Sequence, residues 1–222
     1  MTSSSSAPTT VVVGAGPGIS RSLALLRVAQ GHRIGLLGNA DDVVESLAAE
    51  LREAGAEVES AVADLADTEA TTAALSRLGD WAGEVAHLHF NPSAFREVDP
   101  LELALSDLLA DVAVGVGGLL VSVQALQDRL VPGSVVTATG SMAADKPWHR
   151  AATLGVQKAG MRTLVLCLDT ALAERGVRAC SVTVRGALAR EGDFTPDKVA
   201  AAILAAATRD RDDWRTEVPY PG

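Results

Sequence analysis

The chain has 222 residues, of which 48% are hydrophobic and only 3% aromatic, so its core is expected to consist of alanine, valine and leucine. This length suffices for one domain with a substantial core. The formal net charge of −9 excludes a typical nucleic-acid-binding protein, because a phosphate backbone is bound through an excess of lysine and arginine.

The beginning of the chain, MTSSSSAPTT, lacks the basic and apolar regions of a secretory signal. Residues 1–8 are predicted to form a disordered tail, and residues 9–222 one domain. Residues 112–127, the longest uncharged stretch, contain three glycines and are predicted to fall short of a membrane span. The two cysteines, Cys167 and Cys180, are predicted to be small buried side chains. We therefore expect a cytoplasmic protein without a membrane partner.

Strand-like and helix-like apolar patterns alternate along the whole chain. Strands are predicted at 10–14, 32–38, 56–64, 85–90, 133–141 and 177–184, with an edge strand at 216–220. Helices are predicted at 19–30, 41–54, 68–78, 100–130, 151–175 and 196–208. This alternation predicts a single Rossmann-type α/β domain, a doubly wound parallel sheet with helices on both faces.

A glycine-rich turn, VVVGAGPGIS, joins the first predicted strand to the first predicted helix. Gly14 permits a tight turn, whereas Gly16 and Gly18 remove side chains where a backbone must approach a pyrophosphate. The free N–H groups of the helix would then face the phosphates. In this strand–turn–helix context the pattern predicts dinucleotide binding.

The spacing of Gly14, Gly18 and Ile19 fits G-x-x-x-G-I better than G-x-G-x-x-G, and the next position is Ser20. With this pattern the chain resembles the short-chain dehydrogenase/reductase family. The resemblance implies a nicotinamide cofactor and extends over nearly the whole chain. It assigns further family positions to Asp64 and Leu65 in VADLAD, Asn91 in HFNPSA, Ser141 in GSM, and Lys158 in LGVQKAG.

The family's catalytic tyrosine is missing from the position where the Y-x-x-x-K motif requires it, which Leu154 occupies. In the family that tyrosine exchanges a proton with substrate oxygen, and the lysine holds the ribose hydroxyls and lowers the tyrosine pKa. The resemblance also places Gly115 at the position of a family asparagine, and Arg185 at that of a proline. The segment RGALAREGDF, where the family carries a substrate lid, is short.

Several groups could supply the missing proton. Ser141 could act through water. His149 lies in a loop that faces substrate in the family, and histidine is a common general acid, although a surface loop histidine explains it equally well. Thr153 and Asp145 are weaker candidates.

Two histidines, His87 and His89, share one strand face. We find no third ligand for zinc, which requires three or four, so a metal site is not expected.

The cofactor preference, NAD or NADP, is left open by the sequence. Asn39 follows the second strand, where an aspartate would select NAD. NADP is therefore permitted, with Arg21 as a candidate partner of its phosphate, whereas Asp41 and Asp42 argue against it.

Three functions are kept as hypotheses. The first is an NAD(P)-dependent oxidoreductase that acts on a small-molecule substrate with an altered proton donor. The second is a non-redox isomerase, lyase or cyclase that uses His149 and Ser141, and the third is a nucleotide-binding pseudoenzyme. The final WRTEVPYPG and the substituted tyrosine together resemble a divergent bacterial branch of the family. The resemblance implies a homodimer or homotetramer, for which VAVGVGGLLVSV offers small apolar residues.

Overall fold

Within residues 7–222, which the computed structural model describes, seven parallel strands form one sheet. The strands are β1 (Thr9–Val13), β2 (Arg33–Gly38), β3 (Val58–Val62), β4 (Val85–Phe90), β5 (Val135–Ser141), β6 (Arg178–Val184) and β7 (Glu217–Tyr220). They lie in the order β3-β2-β1-β4-β5-β6-β7. The helices are α1 (Ile19–Val28), α2 (Asp41–Glu53), α3 (Thr68–Ala82), α4 (Leu105–Val112), α5 (Gly118–Leu126), α6 (Ala152–Ala173) and α7 (Pro196–Ala207).

The sheet is covered on both faces, which confirms the predicted Rossmann-type fold. Leu88 and Phe90 of β4 pack in the apolar layer formed with α3, α5 and α6. His87 lies on the opposite face of this strand, where it bonds to Arg27 of α1. β1 lies at the centre, and its Val11, Val12 and Val13 are completely buried. The strand order reverses between β1 and β4, so a crevice opens at the carboxyl ends of these strands.

The predicted helix at 100–130 is the largest departure from the sequence pattern. The helix begins at Leu105, because the Asp99 side chain accepts a hydrogen bond from the Leu101 N–H and forms a turn instead. A π-helical turn (Ala113–Gly117) then separates α4 from α5. In α3 the helix start is as predicted, since the Asp67 carboxylate caps the Ala70 N–H at 3.0 Å.

The helical region Leu105–Arg129 has 25 residues and a window of mean hydropathy 1.8, so by length and composition alone it could cross a membrane. This region includes residues 112–127, the uncharged stretch predicted to fall short of a membrane span, and extends beyond them at both ends. Only 33% of that window is buried, and it packs against α3 and α6.

Two smaller predictions concern the tail and the cysteines. Residues 1–6 of the predicted tail lie outside the described residues, and the Pro8 carbonyl accepts a hydrogen bond from the Arg33 N–H at 2.9 Å. Cys180 is buried as predicted, but Cys167 is exposed on α6, so that prediction was wrong.

Candidate functional site

Two neighbouring cavities lie at the carboxyl edge of the sheet. The first, of about 220 Å³, is lined by predicted cofactor residues, namely Gly14, Asn39, Asp64 and Leu65. The second, of about 310 Å³, is lined by Gly18, Ile19, Asn91, Ser141 and Lys158, together with Leu154. Ser93 lines both, so the cavities adjoin. The fold thus brings together most of the residues singled out in the sequence. Gly16 and His149 line neither cavity.

The glycine turn is fixed by close packing and by side-chain hydrogen bonds. Gly14 has φ +87°, and a Cβ there would lie 2.8 Å from Pro92 Cγ. The Ser20 hydroxyl donates to the Gly14 carbonyl at 2.6 Å, and Asn91 Nδ2 donates to Ser20 Oγ at 2.9 Å. Asn91 and Ser20 therefore hold the turn in place.

The N-terminus of α1 is open to an anion. Cβ atoms built on Gly16 and Gly18 would meet no atom of residues 7–222 within 4 Å. The first turn of α1 has no acidic residue, and no described side chain caps it. Its N–H groups can therefore donate hydrogen bonds to a pyrophosphate, which the positive end of the helix dipole would stabilise.

The polar end of the first cavity is formed by Asn39 and Asp64, which are both exposed. Asp64 Oδ1 accepts the Ala66 N–H at 2.9 Å, so the carboxylate is held at the cavity edge. Arg21 lies elsewhere: its Nε donates to Glu50 Oε2 at 2.8 Å. Because this guanidinium is already paired and does not line the cavity, the structure does not support Arg21 as a phosphate partner.

Lys158 is buried, and its amine reaches the second cavity from α6. Nζ donates to the Thr139 carbonyl at 2.9 Å and to the Pro92 carbonyl at 3.5 Å. An ammonium has three donors, so one stays available for a ligand. Burial lowers the pKa of this amine from 10.5 to about 8, because the charged form loses its hydration.

Ser141 and Leu154 face the same cavity. Ser141 Oγ accepts the Ala143 N–H at 3.1 Å, which leaves its own hydroxyl hydrogen free to donate toward the cavity. Leu154 places only hydrocarbon on the wall of this cavity. Donation to a ligand must therefore come from Ser141, Lys158 or another group on the cavity wall.

Gln157, which sequence reasoning missed, explains why position 115 is a glycine. A Cβ on Gly115 would lie 2.4 Å from Gln157 Oε1, so no larger side chain fits beside it. The buried amide accepts the Ala94 N–H at 3.0 Å and donates to the Ala94 carbonyl at 3.1 Å. Gln157 thereby fastens the loop that follows β4 to α6.

The other proton-donor candidates are placed less favourably. His149 is exposed in the loop before α6 and packs edge-to-face against Trp148. A hydrogen bond from Arg162 lowers the pKa of Asp145, so at neutral pH this group is a carboxylate without a proton to give. Thr153 is buried and lines neither cavity.

The segment predicted to be a shortened lid has no helix or strand between β6 and α7. A Cβ on Gly186 would lie 2.4 Å from the ring of Phe194, which packs edge-to-face on Tyr220. The Tyr220 hydroxyl donates to the Asp193 carbonyl at 2.6 Å. These contacts attach the segment to β7, and Leu188 is its contribution to the second cavity.

His87 and His89 do share a strand face, as predicted, but their ring nitrogens bond to Thr137. Within residues 7–222, no group of three or more histidine, cysteine, aspartate or glutamate side chains is placed to hold a metal ion.

Comparisons with known proteins agree with this fold. A short-chain dehydrogenase from Burkholderia cenocepacia J2315, solved in complex with NADP, superposes with a TM-score of 0.89 at 22% identity, covering 97% of this chain and 96% of the other. A short-chain dehydrogenase/reductase from Serratia marcescens BCRC 10948 gives 0.87 at 21% identity, covering 96% and 95%. One from Mycobacterium smegmatis gives 0.85 at 20% identity, covering 97% and 92%. At such identities the likeness shows the fold.

No curated protein matches the sequence. The sequence model of the family described as short chain dehydrogenase matches residues 8–189, most of the chain. The protein is therefore a member of the short-chain dehydrogenase/reductase family.

Proposed function

We propose that this protein is an NAD(P)-dependent oxidoreductase that acts on a small-molecule substrate without the family's tyrosine. One observation carries the proposal: the buried amine of Lys158 and the hydroxyl of Ser141 face one cavity, which adjoins a second cavity at the glycine turn. Family membership and the NADP found in the Burkholderia structure support the same conclusion.

The residues present fit a nicotinamide dinucleotide. The open space before Gly16 and Gly18 and the uncapped α1 N-terminus suit its pyrophosphate. Asp64 and Leu65 would border the adenine, Asn39 the adenosine ribose, and Lys158 the second ribose. When bound, the cofactor supplies or accepts a hydride. Both NAD and NADP remain in the proposal, since Asn39 carries no charge to repel a 2′-phosphate.

The proton chemistry must differ from that of the family. Leu154 can only pack against a substrate, whereas Ser141 can donate a hydrogen bond to it. Lys158, whose pKa is lowered to about 8, can carry or release a proton near neutral pH. Such a site suits iminium or activated alkene substrates, whose reduction needs no proton transfer from a phenol to oxygen.

The test is a panel of carbonyl, imine and activated alkene compounds with NADH and NADPH, followed by absorbance of the reduced nicotinamide. We expect turnover of at least one class, and expect Lys158→Ala to weaken cofactor affinity and turnover by about tenfold or more. Lys146→Ala, at an exposed position that lines neither cavity, is the matched control and should change neither. Full cofactor affinity in Lys158→Ala would contradict the proposal.

The same panel separates the alternatives. Turnover without any cofactor, lost in His149→Ala, would instead identify a non-redox enzyme. Tight cofactor binding without hydride transfer to any compound would identify a pseudoenzyme. The observation that favours this alternative is Leu154, whose side chain cannot donate a proton.

We also propose that the protein forms a homodimer or homotetramer through its middle helices, as the family usually does. Large apolar side chains are exposed on α4, α5 and α6: Leu105, Leu109, Leu120, Val156 and Leu166. A second copy would bury them. Light scattering should show an oligomer that Leu109→Arg weakens, and a wild-type monomer would refute this.

A further inference from the structure

A chain of hydrogen-bonded side chains runs through the α1-facing layer of the sheet to the second cavity. Its members are Arg27 of α1, His87 and His89 of β4, and Thr137 and Thr139 of β5, all of them buried. Arg27 Nη2 lies 2.9 Å from His87 Nδ1, and His87 Nε2 lies 2.7 Å from Thr137 Oγ1. Thr137 Oγ1 lies 2.8 Å from His89 Nδ1, and His89 Nε2 lies 3.3 Å from Thr139 Oγ1. Thr139 lines the second cavity, so the chain ends at the candidate site.

The direction of the first bonds follows from the chemistry of arginine. A guanidinium can only donate, so His87 Nδ1 must accept, and the proton of the neutral ring lies on Nε2. His87 Nε2–H then donates to Thr137 Oγ1. Both imidazoles are neutral, because complete burial lowers the pKa of His87 far below 6.5 and that of His89 to about 3.

The remaining bonds run the same way. The Thr137 hydroxyl hydrogen has one acceptor among the described residues, His89 Nδ1, so the proton of His89 lies on Nε2 and is donated to Thr139. Thr139 Oγ1 is thus used as an acceptor. Within residues 7–222 no acceptor for its hydroxyl hydrogen is found, and Thr139 lines the second cavity.

Arg27 makes this arrangement costly for the fold. Its guanidinium is buried, and among the described residues no carboxylate lies within 4.0 Å of it. It donates to Gln30 Oε1 at 3.0 Å and to His87, which are both neutral. Burial lowers the pKa of Arg27 to about 10. A buried charge without a countercharge is retained more readily where it serves a site.

We propose that the Thr139 hydroxyl is an oriented hydrogen-bond donor in the second cavity, directed by the chain that begins at Arg27. Its acceptor is a carbonyl oxygen, either of the cofactor's nicotinamide carboxamide or of the bound substrate. Thr139 is the contacting residue, and Arg27, His87 and His89 are positioning residues. This inference rests on the proposed function for the identity of the ligand. The direction of the hydrogen bonds from Arg27 to Thr139 is independent of that function.

The first test needs no ligand. In the ¹⁵N NMR spectrum of the full-length protein at pH 7, the imidazoles of His87 and His89 should both show protonated Nε2 and unprotonated Nδ1. A proton on Nδ1 of either His87 or His89 would overturn the proposal. Arg27→Met should remove the constraint and shift the Nδ1 resonance of His87, whereas Arg21→Met, far from the chain, should not.

The second test compares Thr139→Val, which removes the donor, with Thr139→Ser, which keeps it. The titrated probes are the reduced cofactor that the wild type binds, NADH or NADPH, and its fragment without the nicotinamide ring, ADP-ribose or 2′-phospho-ADP-ribose. A loss of about tenfold in cofactor affinity in Thr139→Val but not in Thr139→Ser, with the affinity for the fragment unchanged, would identify the carboxamide as acceptor. A similar loss of turnover at unchanged cofactor affinity would identify the substrate.

In Thr139→Val, unchanged affinity for the reduced cofactor that the wild type binds, together with unchanged turnover, would overturn the proposal. If the panel yields no substrate, the cofactor affinity alone decides. An equal loss in Thr139→Ser would overturn it too, because the defect would then not be the missing hydroxyl. Wild-type protein that binds no nicotinamide nucleotide would end the proposed function and the acceptor contact with it, while the imidazole spectra would still decide the direction of the chain.

Discussion

Lys158 makes the folding stability depend on pH in a direction that the structure fixes. Its pKa falls from 10.5 to about 8 on burial, so between these values the unfolded chain binds more protons than the folded chain. Stability therefore rises with pH across this window. Since each pKa unit corresponds to about 1.4 kcal/mol, the gain amounts to about 3 kcal/mol when the window has been crossed.

The assay is urea unfolding of the wild type and of Lys158→Met between pH 7 and pH 10. The difference in unfolding free energy isolates the lysine, because other titrating groups contribute equally to both proteins. We expect the wild type to gain about 2 to 3 kcal/mol on the variant over this range. Lys146→Met, at an exposed position, is the control whose difference from wild type should not change with pH. A flat difference for Lys158→Met would refute the burial argument.

Three further predictions concern the site and its support. Gly115→Asn should destabilise the fold by about 2 kcal/mol in urea unfolding, because the added Cβ would overlap Gln157. Adding Gln157→Ala should recover part of this loss. Undiminished stability of Gly115→Asn alone would refute the contact. Leu154→Tyr should raise carbonyl reduction by about 100-fold at unchanged NADPH affinity, and no gain would show that the phenol is not what limits turnover. Asp169→Ala should cost about 3 kcal/mol at pH 7, because Arg178 loses its bonds at 2.8 Å and 2.9 Å. Burial opposes the ionisation of Asp169 but its hydrogen bonds outweigh this and lower its pKa, so the advantage of the wild type should shrink as pH falls through the titration of the carboxyl; an advantage independent of pH would contradict this.

Apart from the helix predicted at 100–130, the strands and helices could be predicted because their apolar spacing is undisturbed. β1 contains a run of three completely buried valines, and β4 begins and ends at the predicted residues. The glycine turn was predictable for a related reason. Gly14 adopts φ +87°, which side chains rarely allow, and the context between strand and helix restricts what such a turn can do.

The contacts between distant segments could not be predicted, because their partners are unrelated in sequence. Arg21 looked available for a phosphate, yet it is paired with Glu50 on the neighbouring helix. The absence of a family asparagine at Gly115 was visible, but not that Gln157 fills the space beside it. These pairings depend on how helices meet in three dimensions.

The polar residues on β4 and β5 were visible in the sequence only in part. The spacing of His87 and His89 showed that they share a face, and it raised the question of a metal. That Thr137 lies between their rings follows from the register of β4 against β5, which pairs His89 with Thr137. The alternation within one strand gives the face, and the neighbouring strand gives the partner.

The most direct test of cofactor binding is calorimetric titration of NAD and NADP, oxidised and reduced, into the wild type and into Gly16→Ala. A Cβ at Gly16 would meet no described protein atom within 4 Å, so the variant should keep its melting temperature and lose affinity by about tenfold or more. Gly117→Ala, whose Cβ would likewise meet no described protein atom within 4 Å, is the control and should bind as the wild type does. We expect saturable binding of at least one form to the wild type. Failure of every form to bind, or binding to Gly16→Ala as tight as to the wild type, would contradict the proposed cofactor site.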